Sequence, residues 1–566
     1  METRNVFLAI LISMAILLGY QYFFIPQQPP PQQQTQTEKK EAETGTPSAD
    51  RPVNAGQPIA DSEVKRLEAE TDSEAGTSSR QAREIFVETP LYETVLSEAG
   101  GIIKSFKLMK YKKSLGEHSE PKELVTVKQR DKRELPLFFS WGVEPQRAWV
   151  PVYEADKLKI DTTDNGEGAV TMQSRMPSGL VLTRTMLFHE DNYMMDMIID
   201  IHNTNDHPLQ GAPYLSTTHK VLGKEASNRF LFKGVAAWVD GGLEEIKGED
   251  LVEDGPQTLR GDIKWAAYED NYFMCGLIPK GHAAESGLNV RLAAFDETTF
   301  NILVSANADV IAADGHQQYE YTIYYGPKEL KSLRKAGHEL SNIVNFGWFG
   351  FVAKPLLYLL NFFYDLSKNY GVAIILLTVL VKLLFWPLTH KGMKSMRNMQ
   401  KLQPKLQKIR EKYKGDKERL AQEQMRLYQT YKINPLGGCM PMLLQIPVFF
   451  ALYRVLMQAI ELRHAPFMLW INDLSAPERL SLGFEIPWLG GLPVLTLIMG
   501  ASMFLQQKLT PTPSTSPEQQ KIMMFLPVVF TFLFINFASG LVLYFLVNNL
   551  LSIAQQYFIN KSVHAE

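Results

Sequence analysis

The sequence predicts an α-helical polytopic membrane bundle of six transmembrane helices joined to a large all-β domain, and three observations carry that fold class. Apolar residues gather at the two ends of the 566-residue chain, although its averages (net charge −3, 21% charged) resemble those of a soluble protein. Residues 85–327 alternate apolar and polar with period two, the strand signature. The short stretch 389–434 carries thirteen Lys/Arg against four Asp/Glu, a net +9, and such an excess marks a cytoplasmic loop.

The elements follow in order. Residues 1–25 read as an N-terminal transmembrane anchor, because Val6 to Ile25 is almost wholly apolar. Twenty helical residues reach about 30 Å, the thickness of the hydrocarbon core. A cleaved signal peptide would end on small residues, whereas Gln21-Tyr22-Phe23-Phe24 offers aromatics suited to the membrane interface. Residues 26–84 form a disordered tether. They hold no aromatic residue and only four Val, Ile or Leu, too little apolar surface to offset ordering entropy. As a coil the tether spans on the order of 40 Å.

In 85–327, Tyr193, Met195, Met197, Ile199 and Ile201 share one face, opposite Asp196, Asp200 and His202. Phe300, Ile302 and Val304 alternate with Asn301 and Ser305, and Tyr319, Tyr321, Ile323 and Tyr325 with Glu320 and Thr322. Turn signals at Asp164-Asn165-Gly166, Pro177-Ser178-Gly179 and Asp240-Gly241-Gly242 separate such runs, so an antiparallel β-sandwich fits. Residues 328–365 read as an amphipathic lead-in at the membrane surface. Leu330, Leu333, His338 and Ile343 predict a helix over 328–345, followed by an apolar stretch containing Lys354-Pro355.

The remaining assignments are a second span at 366–388, a basic cytoplasmic helical hairpin at 389–434, and a third span at 435–458. An external loop at 459–487 and a fourth span at 488–505 follow, then a Pro/Ser/Thr-rich cytoplasmic loop at 506–520. Ile522 to Ile559 would measure about 57 Å as one helix, nearly two bilayer cores. A turn at Asn536 to Gly540 splits it into spans at 521–537 and 540–560. In the hairpin, Met399, Leu402, Leu406, Ile409 and Tyr413 form one stripe. Gly415-Asp416 supplies a break and a new N-cap, and Leu420, Leu427 and Tyr431 line the returning arm. Parity then places both termini in the cytoplasm and residues 26–345 outside.

Polar groups inside the spans are the candidate site. Lys382 at a bilayer centre costs about 2.5–3.5 kcal/mol on insertion scales. It lies six residues from Leu388, within snorkelling reach of the interface, which is the bland reading. Thr378 sits one turn earlier on its face, Gln445 lies in span three, and Tyr544, Asn548 and Asn549 lie in span six. Polar groups in lipid face one another or water, so these six residues predict a hydrophilic recess. Lys405, Lys408, Arg410 and Lys412 in the hairpin are candidate docking residues for acidic or RNA partners.

No catalytic, metal or cofactor site is expected. Cys275 and Cys439 form no cluster, Gly223-Lys224 lacks the rest of a phosphate-binding loop, and the seven histidines of 85–327 have no metal or catalytic spacing. ATP-driven work by this chain alone is therefore not expected.

Several motifs then resemble one family closely. Gln403-Pro404-Lys405, Asn434-Pro435-Leu436-Gly437-Gly438-Cys439 with Pro441, and Gln445-Ile446-Pro447 are similar to the YidC insertases. So are Ala465-Pro466-Phe467, Trp470-Ile471-Asn472-Asp473-Leu474-Ser475 and Ser539-Gly540-Leu541-Val542-Leu543-Tyr544. The match runs from about Tyr370 to Ile559, and the anchor, tether and β domain resemble the Gram-negative form. The resemblance implies a bacterial inner-membrane insertase and chaperone, with five helices forming its core and a periplasmic β-supersandwich similar to sugar-mutarotase folds. It implies a groove open to cytoplasm and lipid, in which nascent membrane proteins place their hydrophilic part. Its implied partners are those nascent chains, the Sec translocon, the lipid bilayer, and a ribosome or targeting receptor. Two departures stand out. The groove's usual Arg is Lys382 here, which removes bidentate carboxylate binding while keeping the charge. The tail after Ile559 holds only Lys561 as a base, unlike relatives that dock ribosomes through a basic tail. A transporter would share the intramembrane Lys but leaves the basic hairpin unexplained. A sugar-binding enzyme rests on fold analogy alone.

Overall fold

The computed structural model describes residues 82–564, apart from 117, 128–134, 146–149, 164–165, 222–231, 432–439, 485–488 and 510–516. The anchor, nearly all of the tether, the Asn434–Cys439 motif and the middle of the 506–520 loop thus lie outside the described residues.

Among the described residues, the alternating segments pair into three sheets. A nine-stranded antiparallel sheet has Phe273–Lys280, His316–Pro327, Met194–Asn203 and Leu180–His189 at its centre. A six-stranded sheet is built on Leu209–Lys220 and Thr299–Ala306, and a five-stranded sheet on Tyr92–Ser97 and Ile103–Lys112. The expected stripe of Met195, Met197, Ile199 and Ile201 is buried, because period two sends alternate side chains to opposite faces. Core aromatics join the layers. Phe106 of the five-stranded sheet meets Tyr325 edge-on at 5.4 Å, and Tyr268 of the large sheet stacks on Phe300 of the six-stranded sheet at 5.6 Å. The Asp240-Gly241 turn joins Gly234–Val239 to Gly242–Lys247 with both residues at positive φ, the conformation that suits a two-residue hairpin.

Among the described residues, nine helices concern the membrane part: α1 (Leu330–Ala336), α2 (Gly350–Ser367), α3 (Tyr370–Lys401), α4 (Gln403–Lys412), α5 (Lys417–Thr430), α6 (Met440–Gln458), α7 (Val494–Leu509), α8 (Pro517–Phe534) and α9 (Ser539–His564). Among the described residues, two apolar segments are long enough to cross a bilayer, Tyr370–Met399 and Ser539–Ile559, while Val494–Leu509 and Met524–Phe534 are shorter apolar helices.

Several boundaries differ from expectation. The helix expected over 328–345 is only α1, since Gly337, His338 and Glu339 all take positive φ and a 3-10 turn follows. The helix of the second span does not stop at Leu388. It continues through Pro387 to Lys401, and the Thr389 hydroxyl donates to the carbonyls of Phe385 (3.0 Å) and Trp386 (3.1 Å) next to the proline. α7 begins at Val494 and not at 488, because Leu492 is held in an extended bridge with Leu480. α8 ends at Phe534, where Arg479 donates to the Ile535 carbonyl (2.9 Å) and Asn536 Oδ1 (3.0 Å) and serves the carbonyl that leaves the helix.

At one corner the sandwich meets the end of α6 and the loop after it. Asn271 Nδ2 donates to the Met457 carbonyl (2.9 Å) at the end of α6. Arg463 donates to the Lys112 carbonyl (2.8 Å) and lies 5.5 Å over the Phe273 ring. Beside them the Glu269 carboxylate, fully buried, is paired with Lys328 just ahead of α1.

Candidate functional site

The part of α3 from Tyr370 to Leu388 is apolar around a single cation. Lys382 is 7% exposed, and its ammonium donates to Ser552 Oγ (2.7 Å) and Asn548 Oδ1 (3.2 Å). Both partners lie one turn apart on α9. Gln445 of α6 donates to the same Asn548 oxygen at 3.2 Å and is also hydrogen-bonded to Tyr544. Asn548 therefore ties α3, α6 and α9 together, and Tyr544, Asn548 and Ser552 occupy one face at four-residue spacing. Both hydrogen-bond partners of Lys382 are neutral, and no carboxylate among the described residues pairs with it.

Two predicted site residues stand apart. Thr378 is on the expected face, but its hydroxyl donates to the Ile374 carbonyl (2.6 Å) of its own helix. Asn549 points about 100° round α9 and donates to Ser502 Oγ of α7 (3.1 Å). It links helices away from the lysine.

Sequence reasoning missed the rest of the seam. Below Lys382–Ser552, Gln555 Nε2 donates to Thr389 Oγ1 (2.8 Å), and Arg397 Nη1 donates to the Ile559 carbonyl (3.0 Å). The signal was present as the spacing 544, 548, 552, 555 on one helix, matched by 382 and 389 on the other. Polar contacts thus run along the α3–α9 seam from Lys382 to the start of the basic hairpin.

The hairpin folds on its apolar stripe. Met399, Leu402 and Leu406 are buried, Asp416 caps α5 by accepting from Arg419 N (3.0 Å), and the return arm packs against α4. Lys405 binds the Tyr431 hydroxyl and lies 4.4 Å over its ring, so it fastens the two arms. Lys408 and Lys412 are exposed, Lys412 lying 5.4 Å over the Tyr413 ring, and Arg410 is half-buried.

Residues 84–359 match the family described as the YidC periplasmic domain, and residues 362–566 the family described as 60Kd inner membrane protein. The membrane protein insertase YidC of Syntrophobacter fumaroxidans is 42% identical over 84% of this chain and 86% of its own length. That of Maridesulfovibrio salexigens is 38% identical over 100% of both. A solved active YidC insertase shares 22% identity with a TM-score of 0.36, covering 85% of this chain and 93% of its own. The extent and identity of the relatives show that this chain belongs to the YidC family of membrane protein insertases of the bacterial inner membrane.

Proposed function

We propose that this insertase receives the polar part of an incoming membrane protein at the Lys382–Asn548–Ser552 cluster, while the client's apolar segment leaves into lipid along α6 and α8. The observation that carries this reading is a buried ammonium with only neutral hydrogen-bond partners. An unpaired cation in an apolar bundle is costly, and that cost is offset when an acidic or polar client group takes the place of water. Phe525, Val528, Val529 and Phe532 of α8 are exposed, and Ile446 and Phe450 of α6 are partly so, which supplies an apolar wall. Met524 adds an adaptable surface there. No nucleotide motif is needed, because burial of the client's apolar segment and the membrane potential supply the drive.

The topology that fits is six spans, five of them forming the core, with both termini cytoplasmic and 26–345 periplasmic. The net +9 of 389–434 supports it. α2 exposes Phe351, Tyr358, Phe362 and Leu366 along one stripe, with Trp348 beside it, and such a face lies along the periplasmic membrane surface. That lets the lead-in avoid becoming a seventh span. The chain works alone or beside the Sec translocon.

A photoreactive residue at Ser552, in cells synthesising a small client with an acidic translocated tail, is expected to crosslink to the tail during insertion. Crosslinks confined to lipid, with the client still inserting, refute the recess. The hairpin gives an independent expectation. Lys408, Arg410 and Lys412 offer charge to a ribosome or targeting receptor, whereas Lys405 holds the fold. Replacing those three with Gln should weaken co-sedimentation with ribosomes or receptor several-fold at low salt and little at high salt. Unchanged binding leaves the loop as a topology signal only.

A further inference from the structure

A cleft of about 580 Å³ opens where the sandwich reaches the start of α2, and no feature of client insertion accounts for it. One wall is the sandwich hairpin, with Trp238 and Leu243. The other is the lead-in and first turn of α2, with Val344, Phe346, Gly350 and Lys354. Its volume is in the range of small-molecule sites. We propose that this cleft binds one zwitterionic phospholipid of the periplasmic leaflet, an amine headgroup with the upper part of an acyl chain. The proposal rests on the reading that α2 lies on that leaflet.

Charge and continuity both point to this occupant. Lys354 faces the cleft and no side chain caps the N-terminus of α2, so the phosphate meets a cation and the positive end of a helix dipole. Glu245 is held beside the cleft by Asn345 Nδ2 at 2.7 Å, so an ammonium on the same headgroup meets a carboxylate. A purely anionic headgroup meets that carboxylate as repulsion. Trp238, Leu243 and Phe346 give the acyl chain an apolar floor. Phe351 (75% exposed) lines the cleft, so the apolar stripe of α2 runs into it. A lipid seated there would fasten the sandwich to the membrane surface through its own headgroup.

The test uses the full chain, delipidated in detergent and titrated with phosphatidylethanolamine, phosphatidylglycerol of the same acyl chains, or free phosphoethanolamine, with bound species counted by native mass spectrometry. One tightly held phosphatidylethanolamine per chain is expected, with weaker phosphatidylglycerol and no competition by free phosphoethanolamine. Lys354→Glu should weaken it about tenfold, the effect of a lost charge contact worth one decade. Leu243→Trp, which fills the apolar end, should abolish retention without lowering the unfolding midpoint, and Glu245→Gln should close the gap between the two lipids. Equal retention by wild type and all three variants overturns the proposal, and competition by free phosphoethanolamine shows a headgroup site without a lipid. A nitroxide at Tyr358→Cys, in a chain carrying Cys275→Ser and Cys439→Ser, separates the two levels. A label buried in lipid with no retained phosphatidylethanolamine overturns the cleft alone, whereas a label in water overturns the placement of α2 as well.

Discussion

Lys382→Glu is expected to slow insertion of clients with acidic translocated tails by at least about tenfold, while clients with neutral tails insert at close to the wild-type rate. The cause is the change of sign at a site with no counter-charge. Two unit charges 4 Å apart interact by about 4 kcal/mol at an effective dielectric of 20, so a fraction of that suffices for a tenfold change. Lys382→Arg keeps the charge and should retain activity. Lys382→Gln keeps a donor for Asn548 and Ser552 but loses the charge, so it should fall between. The pattern across clients separates function from folding, because a variant that merely disturbs the α3–α9 contact slows every client alike. Wild-type insertion of both client types by Lys382→Glu, measured by protease protection, would leave the lysine as a packing residue.

The way Lys382 is held bears on that expectation. Its partners are an amide and a hydroxyl on one neighbouring helix, and Asn548 also accepts from Gln445. Such partners orient the ammonium without neutralising it. A carboxylate in their place would have made a closed pair with little left to offer a client. An ammonium lacks the bidentate fork of a guanidinium, which favours tolerance of many client groups over selection of one.

Much of this was legible in the residues, and the limits have physical causes. The period-two runs of the sandwich read correctly because a half-buried strand writes its face into the sequence, as Met195, Met197, Ile199 and Ile201 do. The Asp416 cap and the Met399–Leu406 stripe were likewise local. The break after Ala336 also had a local signal in Gly337, which takes positive φ after a basic last turn, but the apolar spacing out to Ile343 outweighed it. The end of the second span at Leu388 was set by where the apolar run stops, whereas the helix continues through Pro387 to Lys401. At the site, Lys382, Gln445 and Asn548 were found as polar residues in apolar spans and do meet. Thr378 and Asn549 passed the same filter, but hydroxyls bond back to their own helix and neighbours on α9 diverge by 100°. The Glu269–Lys328 pair was invisible, since it joins residues 59 apart through the fold of the sandwich.

That pair should give the corner between sandwich and helices a steep dependence on pH once its cation is removed. Burial pushes the Glu269 carboxyl up to about 7 from its ordinary 4.5, against the pull of Lys328, with Glu245 and Asp270 adding repulsion. A carboxyl whose folded pKa is raised contributes stability that is complete below about 4.5 and fades as pH rises through about 7. Lys328→Met removes the opposing cation and moves the folded pKa higher still. At pH 5 the lone carboxyl escapes by holding a proton, so the variant should lose little. At pH 8 protonation is costly and ionisation leaves a buried unpaired charge, so the loss should reach about 3 kcal/mol. Glu269→Gln combined with Lys328→Met should recover most of it and flatten the pH response. Hydrogen exchange of the Ile263–Glu269 and Phe273–Lys280 strand amides in the full chain, corrected for intrinsic rates, reads the effect where it arises. Equal protection of the single variant at the two pH values would show that water, not Lys328, satisfies the carboxylate.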